Sequence, residues 1–220
     1  MRLLLVTPPM TQLNTPYPAT AYLMGFLRSR PELAGRIEVA QADAALELFL
    51  RLFSRTGLAR VRDALGKPRK NAPDSIRGFV RDAERYLETI DPVVRFLQGR
   101  DPGLALRIVG RDFLPEGPRF AAIRAGDEES DGGDALAWAF GALGIADRAR
   151  HLASLYIDDL ADVIREGIDP EFELARYGER LAASTPTFAP LRDALEGEPS
   201  LVDALLDELA ADLVARHRPD

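Results

Sequence analysis

Four apolar residues in a row, Leu3-Leu-Leu-Val6, run straight into Pro8-Pro9, and no other feature of the sequence constrains the fold as much. A strand without a polar side has to be covered on both faces, which is the environment of a parallel sheet flanked by helices. The proline pair stops the strand. Pro16 and Pro18 punctuate the following loop, and a helix is predicted from Ala19 onward. There Ala19, Tyr22, Leu23, Phe26 and Leu27 recur at i, i+3, i+4, i+7 and i+8, one apolar helix face. Arg28-Ser-Arg-Pro31 ends it. Residues 36–41 open with period-two alternation and predict a second strand that ends at Asp43. Strand, helix and strand in this order make a βαβ unit, with parallel strands and a right-handed crossover.

Beyond Asp43 the pattern is helical. Residues 44–53 (Leu46, Leu48, Phe49, Leu50, Leu52 and Phe53 among them) are apolar around most of a helix circumference, which predicts a buried helix. Further helices are expected over 56–65 and 75–97, with Pro92 in a first turn capped by Asp91. The stretch 66–74, which holds Lys67-Pro-Arg69-Lys70, reads as a solvated loop. Residues 100–125 read as irregular, with a short helix or strand at 104–109. An acidic loop at 127–134 precedes helices over 135–143, 145–166, 170–183, 188–195 and 201–216.

The fold class expected is therefore an α/β start, the βαβ of an open parallel sheet in residues 1–54, with a large helical insertion over 55–220. The whole is helix-rich. A two-stranded parallel sheet leaves long apolar edges open, because such sheets are stable only with neighbouring strands and both faces covered. The sequence accordingly reads as an opening cut just before its third strand. The alternative is a mainly helical protein with a two-stranded decoration.

Composition narrows the function classes. The chain has 220 residues, a net charge of −7 and no cysteine. The acidic balance argues against a nucleic-acid-binding face. Lack of cysteine removes disulfides, thiolate zinc sites, cysteine nucleophiles and cysteine-ligated iron–sulfur clusters from these residues. No apolar run approaches the ~18 residues of a membrane-spanning helix, and no signal-peptide pattern is present. A cytoplasmic protein that binds neither nucleic acid nor membrane is the expectation.

The loop from Thr7 to Pro18 is the leading candidate site, since open α/β sheets bind ligands beyond their strand ends. Thr7, Gln12, Asn14, Thr15 and Tyr17 supply its polar groups on a proline-stiffened backbone. It holds no glycine, which excludes the dinucleotide fingerprint and the phosphate-cradling P-loop. Asp43, at the end of the second strand, could meet a polar ligand group, but capping the next helix is the reading that the residue type favours. Glu47 could serve the same site or pair with Arg51 at i, i+4. In the acidic loop, Asp127, Glu129, Asp131 and Gly132 approach a calcium-loop spacing, yet the twelfth position is Trp138 rather than a bidentate Glu. A solvated loop with Asp134 as a helix cap explains those residues. His151 and His217 belong to no metal or triad motif. Asp158 and Asp162 share a helix face without the Glu-x-x-His partners of a di-metal bundle. No nucleophile–base pair supports a stand-alone hydrolase.

At Leu3-Leu-Leu-Val-Thr-Pro-Pro9 and Ala19-Thr-Ala-Tyr-Leu-Met-Gly-Phe-Leu27 the chain resembles the N-terminal region of cobalamin (B12)-binding radical S-adenosylmethionine enzymes. Residues 14–23 and 41–54 are similar to a subgroup with a long helical insertion, and the specific match covers roughly residues 1–60. The resemblance implies a Rossmann-like domain that holds cobalamin, often for methyl transfer. It assigns Thr7, Gln12, Asn14, Thr15, Tyr17 and Asp43 to cofactor contact, and none of them to catalysis. The Asp-x-His-x-x-Gly motif is missing, so no histidine would ligate cobalt from below. The three-cysteine cluster motif cannot exist here, so the iron–sulfur cluster and S-adenosylmethionine would belong to a downstream domain. The partner implied is the rest of a parent polypeptide, or another chain, completing the sheet. The other reading is a non-enzymatic helical interaction module, docking a partner through residues 44–53 and the open strand edge.

Overall fold

The computed structural model describes residues 1–9, 13, 17–123, 144–174 and 187–220. They are helix-rich with one small parallel sheet. The chain divides into two compact units, Met1–Arg51 with Phe172–Asp220, and Leu52–Glu171.

The first unit opens with β1 (Arg2–Thr7), α1 (Ala19–Arg28), a 3-10 turn (Pro31–Leu33) and β2 (Glu38–Asp43). The two strands pair in parallel, from Arg2 opposite Glu38 to Thr7 opposite Asp43. Helix α2 (Ala44–Leu52) follows without a loop, because Asp43 is both the last strand residue and the helix cap: its Oδ1 accepts from the Leu46 N–H at 2.9 Å. The unit is completed by α8 (Ala189–Glu196) and α9 (Leu201–His217). Ser200 and Asp203 form a reciprocal capping box at the start of α9. Val202, Leu205, Leu209 and Leu213 give that helix one buried stripe. Along the flank of the same face Arg216 grips Glu47 with two bonds (3.1 and 3.0 Å), and Asp212 pairs with Arg51 at 2.7 Å. The expected Glu47–Arg51 pair is thus replaced: each residue turns to an opposite charge on α9.

Two expectations for this unit are corrected. The apolar run of β1 is not buried on both faces; Leu3, Leu4 and Leu5 are half-buried and Val6 is 42% exposed. Only β2 flanks β1 among the described strands. The expected core face of α1 also points elsewhere. Thr20, Met24 and Leu27 are its half-buried side, while Tyr22 (77%), Leu23 (52%) and Phe26 (53%) stand in solvent. Large apolar side chains lie on both sides of α1, and one layer of cover satisfies only one of them.

The second unit holds α3 (Arg55–Leu65), α4 (Asp74–Arg81), α5 (Ala83–Leu97), α6 (Leu104–Val109), a 3-10 turn (Pro118–Phe120) and the long α7 (Ile145–Gly167). Helix α7 packs on α4, α6 and the 3-10 turn, and α5 packs on α3 and α6. Leu58, Val61, Phe79, Ile90, Val93, Ile108, Phe120, Leu152, Leu160 and Ile164 fill the core. Tyr156, fully buried, stacks on Tyr86 and shares a hydrogen bond with Thr89 at 2.9 Å. The residues 66–70 form an exposed loop, as expected.

The helix expected over 75–97 is broken at Asp82 rather than at Asp91. Pro92 lies inside α5, where a proline costs about 3 kcal/mol. The apolar row Tyr86, Leu87, Ile90, Val93 and Val94 is buried on both sides of it, and that burial outweighs the local penalty. Asp91 caps a different helix: its carboxylate accepts from the Arg55 N–H at 3.0 Å, next to the Ser54 cap of α3. Residues 170–174 are turn and irregular backbone, not the start of a helix. The remainder of the helix expected over 170–183 lies wholly outside the described residues. The acidic loop 127–134 and the helix expected over 135–143 lie wholly outside them.

Candidate functional site

In a parallel pair the ligand side is the carboxyl end of the strands, and here that end is the pair Thr7 and Asp43. They stand opposite each other in the last rung of the ladder. Thr7, the last residue of β1, is 4% exposed. Asp43 is half-buried, with Oδ1 committed to the α2 cap. A single residue thus ends a strand, starts a helix and keeps a second carboxylate oxygen at the sheet's carboxyl edge.

Of the other residues expected at this site, Tyr17 is 55% exposed just before α1. Gln12, Asn14 and Thr15 lie outside the described residues. The structure therefore brings Thr7 and Asp43 together. Behind the strand ends, the Gln41 side-chain amide donates to Met24 Sδ at 3.2 Å, tying β2 to α1.

A second concentration of charge was hidden in the sequence and belongs to the other unit. On α7, Asp159 is 2% exposed and accepts two main-chain N–H groups, from Gly117 at 2.9 Å and Arg119 at 2.8 Å. Burial pushes its carboxyl up to about 6, against the two donors that pull it down. One turn on, Asp162 takes Arg119 in a fork (2.6 and 2.9 Å) and Arg165 at 2.6 Å. Burial alone would raise its pKa too, but the two arginines more than offset that and hold it below the usual carboxylate range. The expected face-sharing pair was Asp158 with Asp162; the inward pair is Asp159 with Asp162. The signal was available, since Leu152, Tyr156, Asp159 and Val163 follow helical spacing and place a carboxylate on a core stripe. This cluster fastens the 3-10 turn to α7. Among the described residues no group of His, Asp or Glu is arranged to hold a metal.

His151 is half-buried on α7 and burial lowers its pKa; His217 closes α9 in the first unit. No described helix is long and apolar enough to cross a membrane. No known protein family, curated protein or solved structure matches this chain.

Proposed function

We propose that the chain is the N-terminal part of a cobalamin-dependent radical S-adenosylmethionine enzyme, contributing to corrinoid binding and catalysing nothing alone. The observation that carries this reading is the state of the sheet. Two parallel strands end together at Thr7 and Asp43, while β1 and α1 leave apolar surface (Val6, Tyr22, Leu23, Phe26) uncovered. Such a sheet is half of a ligand-binding crevice, which forms where strands on both sides of the first one end. Thr7 and Asp43 offer polar groups there, and Tyr17 offers an exposed ring; Gln12, Asn14 and Thr15 join them through the resemblance.

The protein would bind and orient the corrinoid, and cobalamin would supply the chemistry when bound. Iron–sulfur cluster and S-adenosylmethionine would sit in a downstream domain, in the cytoplasm. Reading the gene past codon 220 tests this. The expected result is an in-frame apolar strand and, further on, a three-cysteine cluster motif; a stop codon with neither would overturn it.

The exposed row Tyr22, Leu23 and Phe26 also favours a second reading, a non-enzymatic interaction module. Its docking face would be α1 rather than α2, since Ala44, Ala45, Leu48 and Leu52 of α2 are buried. That reading predicts a stable heteromer or homodimer and no spectral response to corrinoids.

A further inference from the structure

We infer that the outer edge of β1 takes a third strand, parallel to it and continuing from Asp220, and that Asp220 sets its register. This rests on reading the sheet as unfinished. Backbone groups of alternate strand residues point to opposite edges. The Met1 carbonyl accepts from the Glu38 N–H at 3.0 Å, so odd-numbered residues of β1 face β2 and Arg2, Leu4 and Val6 face outward. At Arg2 both outward groups are engaged by one residue. The Asp220 N–H donates to the Arg2 carbonyl at 3.0 Å, and the Arg2 N–H donates to Asp220 Oδ2 at 2.7 Å. The terminal ammonium of Met1 adds an ion pair to the same oxygen at 3.4 Å. Outward from Leu4 and Val6 there is no described strand.

These two bonds choose the direction. In an antiparallel rung the Arg2 N–H would bond the Asp220 carbonyl, and it bonds the side chain instead. An antiparallel continuation would also run off the start of β1 and leave Leu4 and Val6 open. In a parallel ladder the Arg2 N–H looks back to the residue two before Asp220. That residue, Arg218, is the left-handed cap of α9 (φ 46°), so its carbonyl is not in a strand. The Asp220 carboxylate fills that missing position. The register follows: the residue one past Asp220 stands opposite Leu4, and the residue three past it opposite Val6. The Leu4 N–H then donates to the Asp220 carbonyl. The occupant is an apolar strand, because its neighbours Leu3 to Val6 are apolar and only half covered.

Amide hydrogen exchange on the chain of residues 1–220 and on the intact polypeptide tests this. The expected result is that the Leu4 and Val6 amides exchange fast in residues 1–220 and on the order of 100-fold slower in the intact polypeptide. Asp220→Ala should speed exchange at Arg2 in both, whereas Asp220→Asn, which keeps an acceptor oxygen, should not. Equal rates at Leu4 and Val6 in the two forms, or a stop codon after Asp220, would overturn the inference. So would protection in residues 1–220 that grows with protein concentration, which would give the edge to a second copy. Protection in an intact polypeptide that binds no corrinoid would keep the third strand and sink the cofactor reading.

Discussion

The Arg119 main chain and side chain are held by two different carboxylates of one helix: its N–H by Asp159 at 2.8 Å, its guanidinium by Asp162 at 2.6 Å. The pKa values of the two carboxyls are shifted in opposite directions, Asp159 upward by burial and Asp162 downward by its arginines. Asp159 keeps its proton up to about pH 6 in the folded protein, whereas an unfolded aspartate releases it near pH 4. Stability from this group is therefore fully present below about pH 4 and is lost as pH rises through about 6, on the order of 3 kcal/mol for a shift of this size. Thermal unfolding between pH 4 and 7 should show that fall in the wild type and a flatter profile in Asp159→Asn. A wild-type profile that rises over the same window would contradict the assignment.

Gly117 is required by the same contact. A β-carbon there would lie 2.5 Å from the Asp159 carboxylate, which cannot move aside without giving up its bonds to the Gly117 and Arg119 N–H groups. Gly117→Ala should cost about 1–3 kcal/mol, measured by urea unfolding, and it should detach the 3-10 turn without disturbing the first unit.

Asp43 has two separable duties. Asp43→Asn keeps an oxygen for the Leu46 N–H and should leave stability unchanged, while Asp43→Ala should cost about 1 kcal/mol through the lost cap. On the proposed reading, both variants should weaken corrinoid binding by the longer polypeptide. A full retention of affinity in Asp43→Ala would confine the residue to capping.

Much of the topology was legible in the residues, because β1, α1, β2 and most of the helices follow countable apolar spacing; the break between α4 and α5 at Asp82 was not, and residues 104–109 fit a helix or a strand equally. What was not legible depends on cover that spacing does not encode. Periodicity marks Tyr22, Leu23 and Phe26 as an apolar face, but only the rest of a sheet decides whether that face is inside. Asp-Pro at 91–92 has the chemistry of a helix start, yet a buried row running through it keeps the helix intact. At the site, Thr7 and Asp43 could be placed from strand ends, and the capping duty of Asp43 from its residue type ahead of a helix; that Glu47 and Arg51 turn to opposite charges on α9 depends on a long-range approach that local spacing does not encode.

The exposed row on α1 should behave as unburied surface. Tyr22→Ser with Phe26→Ser should leave the unfolding free energy of the monomer within about 0.5 kcal/mol. It should also lower self-association in light scattering. A large loss of monomer stability would mean that this face is already covered.

On the proposed reading, these residues hold one edge of a corrinoid crevice. Titration with cobalamin, followed by its visible spectrum, tests it most directly. Residues 1–220 should bind weakly and the intact polypeptide tightly, at one corrinoid per chain. Tight stoichiometric binding by residues 1–220, or none by the intact polypeptide, would contradict it.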